Sequence, residues 1–142
     1  MRQPILYFAY GSNMFPDRMA RRCPGAVALG VAKLQNYQLS ERLYADIDFV
    51  ERGQVFGVLY CISKRHLWSL DAFEGYPKVY RRIWLEVEFE GDRYIAVTYE
   101  MSTETKAARE GQPYPEDYRK MCSDGAKFYH VPNKFTIRRR KP

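Results

Sequence analysis

Two short stretches carry residue types that chemistry needs. The first is Tyr10-Gly11-Ser12-Asn13, set between the apolar run Ile5 to Ala9 and the pair Pro16-Asp17. Pro suits the first position of a helix and Asp complements its dipole, so a helix is expected to start there. Gly11 lets a backbone or ligand come close. Successive N–H groups ahead of a helix form a concavity for an anion, and Ser12 and Asn13 add polar side chains. Such a loop suits a carboxylate, a phosphate or an oxyanion. The same residues also make a plain strand-to-helix turn capped by Asn13, and spacing does not separate the two.

The second is Glu74. Leu67, Leu70 and Glu74 stand at i, i+3 and i+7, one stripe of a helix expected from Ser63 to about Glu74 and closed by Gly75 and Pro77. A carboxylate there is desolvated and faces the negative end of the helix dipole. Both effects raise its pKa and make it a proton-transferring group. If the helix ends earlier, Glu74 swings into water, and the pattern favours neither outcome. Asp71 shares the stripe as a weaker rival, expected to be solvated or bonded to backbone. Tyr80, Tyr99 and Tyr118 each lie near an element's end, where a hydroxyl can reach a pocket, although a half-buried Tyr needs no such role.

Other chemistries have little to draw on. His66 and His130 are the two histidines; His66 is expected to be exposed, and neither reads as a base. Cys23, Cys61 and Cys122 are odd in number and widely spaced, which argues against a disulfide framework or a zinc site. Cys61 reads as a small core residue. Neither a dinucleotide-binding G-x-G-x-x-G nor a P-loop occurs. Histidine-rich metal chemistry is not expected.

The elements that must position these residues are short. Ile5 to Ala9 and Val55 to Ile62 read as buried strands. Ala26 to Leu43 and Asp46 to Val50 read as extended, with a turn at Glu51-Arg52-Gly53-Gln54. Ile83 to Phe89 and Ile95 to Met101 alternate around Glu90-Gly91-Asp92, a hairpin. Ser102 to Pro113 reads as a polar loop bordering the pocket, and Pro115-Glu116-Asp117 opens a last helix with Gly125 near its end. The expected fold is α+β: a small mixed, mostly antiparallel β-barrel of about six or seven strands with three short helices.

The chain has 142 residues, enough for one domain, here 1–137, followed by a basic tail, 138–142. The net charge of +6 owes much to Arg138-Arg139-Arg140-Lys141, so the body is close to neutral. That weakens any nucleic-acid reading, and the tail reads as a solvated appendage. No apolar run reaches the ~20 residues of a membrane helix, and the N-terminus lacks the features of a signal peptide. A cytoplasmic protein is expected, with no nucleic-acid or membrane partner. The residues favour neither a monomer nor a homodimer.

The ordered series of stretches resembles the γ-glutamylcyclotransferase family. Leu6-Tyr7-Phe8-Ala9-Tyr10-Gly11-Ser12-Asn13 is similar to its opening motif, and Ala32 to Leu39 and Val55 to Tyr60 to its next strands. Leu70-Asp71-Ala72-Phe73-Glu74-Gly75 resembles the helix end that carries its catalytic glutamate. Tyr80, Tyr99-Glu100-Met101, Tyr118 and Gly125-Ala126-Lys127 follow in the family's order. The resemblance implies a small-molecule γ-glutamyl substrate whose α-amine attacks its own γ-carbonyl. 5-Oxoproline forms and an amine or amino acid leaves, without cofactor. It implies Glu74 as acid and base, Tyr10, Gly11, Ser12 and Asn13 as the carboxylate or oxyanion site, and Tyr80 and Tyr118 as pocket walls. Ser12-Asn13 is similar to members acting on γ-glutamyl amino acids, whereas Phe73-Glu74-Gly75 and Tyr80-Arg81-Arg82 also resemble the γ-glutamylamine and bacterial branches. Two alternatives accompany this expectation. One is removal of a γ-glutamyl group from a larger amine or biosynthetic intermediate; the other is a non-catalytic binder of γ-glutamyl metabolites.

Overall fold

The computed structural model describes residues 4–132 and residue 135. The basic tail, 138–142, lies outside the described residues. Five strands form the barrel: β1 (Ile5–Ala9), β2 (Val27–Arg42), β3 (Tyr44–Ile62), β4 (Tyr80–Phe89) and β5 (Asp92–Met101). Four helices flank them: α1 (Pro16–Arg22), α2 (Lys64–Glu74), α3 (Thr103–Arg109) and α4 (Glu116–Phe128).

The strand order is β1-β3-β2-β4-β5, and a parallel contact of Tyr7 with Val97 closes the barrel. The other pairings are antiparallel, so the sheet is mixed and mostly antiparallel, as expected. Its centre is apolar: Phe8, Leu34, Ile47, Val58, Leu59, Val97 and Met101 are all but fully buried.

Among the described residues the strands number five rather than six, because Glu51-Arg52-Gly53-Gln54 lies within β3 and does not reverse the chain. The extended segment expected from Val131 to the C-terminus, which would be a seventh, lies largely outside the described residues. Arg52 takes a left-handed conformation at φ 67°, opposite Asn36 at φ 66° on β2, and the Asn36 side chain accepts from the Arg52 N–H at 3.0 Å. The turn residues build a bulge that bends a long β2–β3 hairpin. The reversal falls at Leu43, at φ 64°. Just past the reversal, Ala45 is hydrogen-bonded to both Tyr80 and Tyr118.

The β4–β5 turn has Glu90 at φ 49° and Gly91 at φ 84°, the two left-handed residues of the turn that matches strand twist. Part of the stretch Ser102 to Pro113 is helical rather than loop, which makes four helices instead of three. Ser102 caps α3 by accepting from the Thr105 N–H at 3.2 Å. Cys23 and Cys122 are buried, whereas Cys61 is only half-buried. Among the described residues, no helix is long and apolar enough to cross a membrane.

Candidate active site

A cavity of about 580 Å³ opens at the end of the barrel where β1 leaves it. Tyr10, Gly11, Ser12, Asn13, Glu74, Tyr80 and Tyr118, all singled out from the sequence, line it together.

β1 delivers the first wall. Ser12–Met14 form a single 3-10 turn, closed by the Met14 N–H to Gly11 O at 3.1 Å. The N–H groups of Ser12 and Asn13 precede the first bond of that turn. Two features hold the turn. α4 lies so close that a Cβ on Gly125 would stand 2.5 Å from the Met14 carbonyl carbon and the Phe15 nitrogen. Gly125, near the end of α4 as expected, is thus also its point of contact with the turn. Gly11 faces the hydroxyl of Tyr118 and the Cβ of Ala45, which an added Cβ would meet at 3.0 and 3.1 Å.

The side chains of Ser12 and Asn13 are buried and turned toward α1. Arg18 donates to Ser12 Oγ at 2.9 Å, and Arg22 donates to Asn13 Oδ1 at 3.0 Å. Asn13 Nδ2 donates to the Tyr7 hydroxyl at 2.9 Å, while the Asn13 carbonyl accepts from Tyr60 at 3.0 Å. Asn13 therefore positions an arginine instead of presenting its amide. Arg18 and Arg22 were not anticipated; their i, i+4 spacing just after the loop was the available signal.

α2 delivers the second wall. Ser63 accepts from the His66 N–H at 3.2 Å, and His66 Nδ1 accepts from the Ser63 N–H at 3.1 Å, a reciprocal cap. Nε2 of the same ring lies 2.6 Å from the Pro24 carbonyl, so His66 is half-buried structure rather than an exposed side chain. Leu67 and Leu70 bury the stripe, and Gly75 ends the helix in a left-handed conformation at φ 67°. The helix thus reaches Glu74, whose side chain points inward with 17% exposure. Burial pushes its carboxyl up from 4.5 to about 7, against the opposing charges of Arg22 and Arg18. Arg22 Nη1 stands 3.9 Å from Glu74 Oε1, beyond hydrogen-bond reach. The cation tempers the carboxylate without occupying it.

Asp71 differs. It takes a hydrogen bond from Arg82 Nε at 2.9 Å, an ion pair with Arg82 Nη2, and the Tyr99 hydroxyl at 2.6 Å. Among the described residues, the partners of its carboxylate are side chains rather than backbone.

The tyrosines fix the remaining walls. Tyr10 donates to the Tyr99 carbonyl, and Tyr80 donates to the Ala45 carbonyl at 2.8 Å. The Tyr118 hydroxyl accepts from the Ala45 N–H at 3.0 Å. The hairpin tip is clamped at Ala45 from both sides. Burial drives the hydroxyls of Tyr10, Tyr80 and Tyr118 well above their ordinary 10.0, so they stay protonated. Tyr44 and Arg109 complete the rim. Arg109 was missed because its segment reads as a loop. Among the described residues, no group of three or more His, Cys, Asp or Glu side chains is placed to hold a metal ion.

The cavity brings together an acid of raised pKa and the backbone of the Gly11–Asn13 loop, a combination common in enzyme sites. Comparison with known proteins gives the family. Residues 7–120 match the model of the family described as "Gamma-glutamyl cyclotransferase, AIG2-like". The chain is similar to a mouse protein named gamma-glutamylcyclotransferase, 32% identical over 94% of this chain and 76% of that one. A human protein of the same name is 30% identical over 92% of this chain and 74% of its own. A solved structure named gamma-glutamyl cyclotransferase superposes with a TM-score of 0.79 at 30% identity, covering 92% of this chain and 82% of that one. The chain belongs to this family of enzymes.

Proposed function

We propose that the protein cyclises a γ-glutamyl amino acid, releasing 5-oxoproline and the free amino acid, without a cofactor. The observation that carries this reading is Glu74: a buried carboxyl with a pKa of about 7, in one cavity with the Gly11–Asn13 backbone. The reaction needs a group that takes protons from an ammonium and gives them to a departing nitrogen near neutral pH. An acid poised near 7 does both.

Glu74 as carboxylate accepts a proton from the substrate's α-ammonium. The freed amine attacks the γ-carbonyl carbon and closes a five-membered ring, a step whose proximity is built into the substrate. Negative charge collects on the carbonyl oxygen. The N–H groups of Ser12 and Asn13, with Arg18 and Arg22 behind them, hold that oxygen or the substrate carboxylate. The bond from the carbonyl carbon to the leaving nitrogen then breaks. Two protons leave the α-nitrogen and two reach the leaving nitrogen, carried one at a time by Glu74, which ends unchanged. The protonated tyrosines supply apolar walls with fixed hydroxyl tips. Three free thiols suit a reducing compartment such as the cytoplasm.

The experiment is product analysis. The protein is incubated with γ-glutamyl dipeptides, glutathione and γ-glutamyl-ε-lysine, and 5-oxoproline is quantified. Turnover of a dipeptide that is lost in Glu74→Gln is the expected result. Turnover confined to larger amines would move the reading to that leaving-group class. Tight binding with no 5-oxoproline from any substrate would overturn the catalytic reading in favour of a binder.

A further inference from the structure

Arg109, at the end of α3, lines the cavity together with Tyr44, Tyr80 and Glu74. Its Nη1 is buried and has no hydrogen-bond partner among the described residues. A buried charged donor without a partner is costly, and such a group in a cavity wall points to a ligand that completes it. The guanidinium is not loose. It lies over the ring of Tyr44, 5.4 Å from the centroid, and Tyr44 packs edge-on against Tyr118 at 4.9 Å. The neighbouring acid, Glu110, which follows α3, is engaged by Arg42 at 3.2 Å. Tyr80 lies within electrostatic range of both Arg109 and Glu74. The cation and the acid therefore face one chamber.

The geometry points to Arg109 as the residue that binds a carboxylate on the leaving group, which selects γ-glutamyl α-amino acids over γ-glutamylamines. This rests on the reading that Glu74 and the Gly11–Asn13 backbone take the glutamyl head. With the head there, the leaving group extends toward Tyr44 and Arg109. The planar guanidinium fork matches a carboxylate, and Tyr44 orients it in advance.

The test compares two substrates that differ only in that carboxylate: γ-glutamylalanine and γ-glutamylethylamide. The wild-type enzyme is expected to favour γ-glutamylalanine in kcat/KM by about 10- to 100-fold, the worth of one or two charge-assisted hydrogen bonds. Arg109→Met brings the ratio near one by raising KM for γ-glutamylalanine, and Arg109→Lys restores part of it. A general structural defect would lower both substrates together and leave the ratio alone. Equal use of both substrates by the wild type, or an unchanged ratio in Arg109→Met, overturns the proposal. Calorimetric binding of both compounds in a Glu74→Gln background reads the same preference without turnover. If no 5-oxoproline forms but the Arg109-dependent preference persists there, the cyclisation reading fails and the carboxylate site stands. If binding shows no preference, the carboxylate site fails.

Discussion

Replacing Glu74 by Gln should stabilise the protein while silencing it. In the folded chain the Glu74 carboxyl is buried, and its pKa stands at about 7 against 4.5 ordinarily. Between those values the folded state binds more protons than the unfolded one, so stability falls as pH rises through that window. At about 1.4 kcal/mol for each tenfold change in proton affinity, the ionised carboxylate opposes folding by about 3 kcal/mol above pH 7. Gln keeps the shape and polarity of the protonated acid and carries no charge to desolvate. Urea unfolding of both proteins from pH 4 to pH 8.5 measures the difference. The two should match near pH 4. The variant should gain steadily through pH 7 and hold an advantage of about 3 kcal/mol at pH 8. Its 5-oxoproline formation should fall by about 10²- to 10⁴-fold, the usual contribution of a positioned acid or base. A difference that does not vary with pH, or a variant less stable at pH 8, would refute the argument that burial governs this carboxyl.

Three further perturbations separate the site from its supports. Gly11→Ala places a Cβ 3.0 Å from the Tyr118 hydroxyl and 3.1 Å from the Ala45 Cβ, so kcat/KM should fall at least tenfold (about 1.4 kcal/mol) for a smaller loss of stability, read by steady-state kinetics beside thermal melts. Gly125→Ala forces a Cβ against the backbone of Met14 and Phe15, which cannot yield like a flexible side chain; it should cost about 3 kcal/mol in urea unfolding and lower activity by displacing the 3-10 turn. Asp71→Asn should cost about 1–3 kcal/mol near pH 7. Burial pushes the Asp71 carboxyl up, but hydrogen bonds from Arg82 and Tyr99 outweigh it and hold the group below its ordinary 3.8, so the wild-type advantage should vanish as pH falls below that value.

The parts of the fold visible in the sequence were those set by local pattern. Leu67 and Leu70 marked the face of α2, and Ser63 and Gly75 its ends, although whether the helix reached Glu74 was left open by the pattern. Alternation from Ile83 to Met101 fixed the β4–β5 hairpin. Non-local effects were hidden. Arg52-Gly53 carries the chemistry of a turn, yet its partner is Asn36, sixteen positions earlier, and only the paired strands show that it bends rather than reverses. The tip of that hairpin brings Ala45 to Tyr80 and Tyr118, contacts 35 and 73 positions apart that no periodicity encodes. Within the site, residue types announced Gly11 and Glu74. Arg18, Arg22 and Arg109 were not singled out, because what an arginine faces is not revealed by a helix face or loop alone.

The proposal that Glu74 is the acid draws its main support from setting Asp71 and Glu74 side by side. They are carboxylates three positions apart on one helix stripe, and the sequence could rank them only weakly. Their surroundings push them in opposite directions. Asp71 is held by Arg82 and Tyr99, which lower its proton affinity and keep it ionised. Glu74 is buried with its nearest cation 3.9 Å away, so it is held by charge and not by a hydrogen bond. A group that must both take and return a proton needs an affinity near the ambient value and lone pairs left open to the substrate. Asp71 fails the first requirement and Glu74 meets both. The stability that ionised Glu74 forgoes at neutral pH is what keeps its proton exchangeable there, so the same burial that opposes folding makes the side chain fit for the reaction.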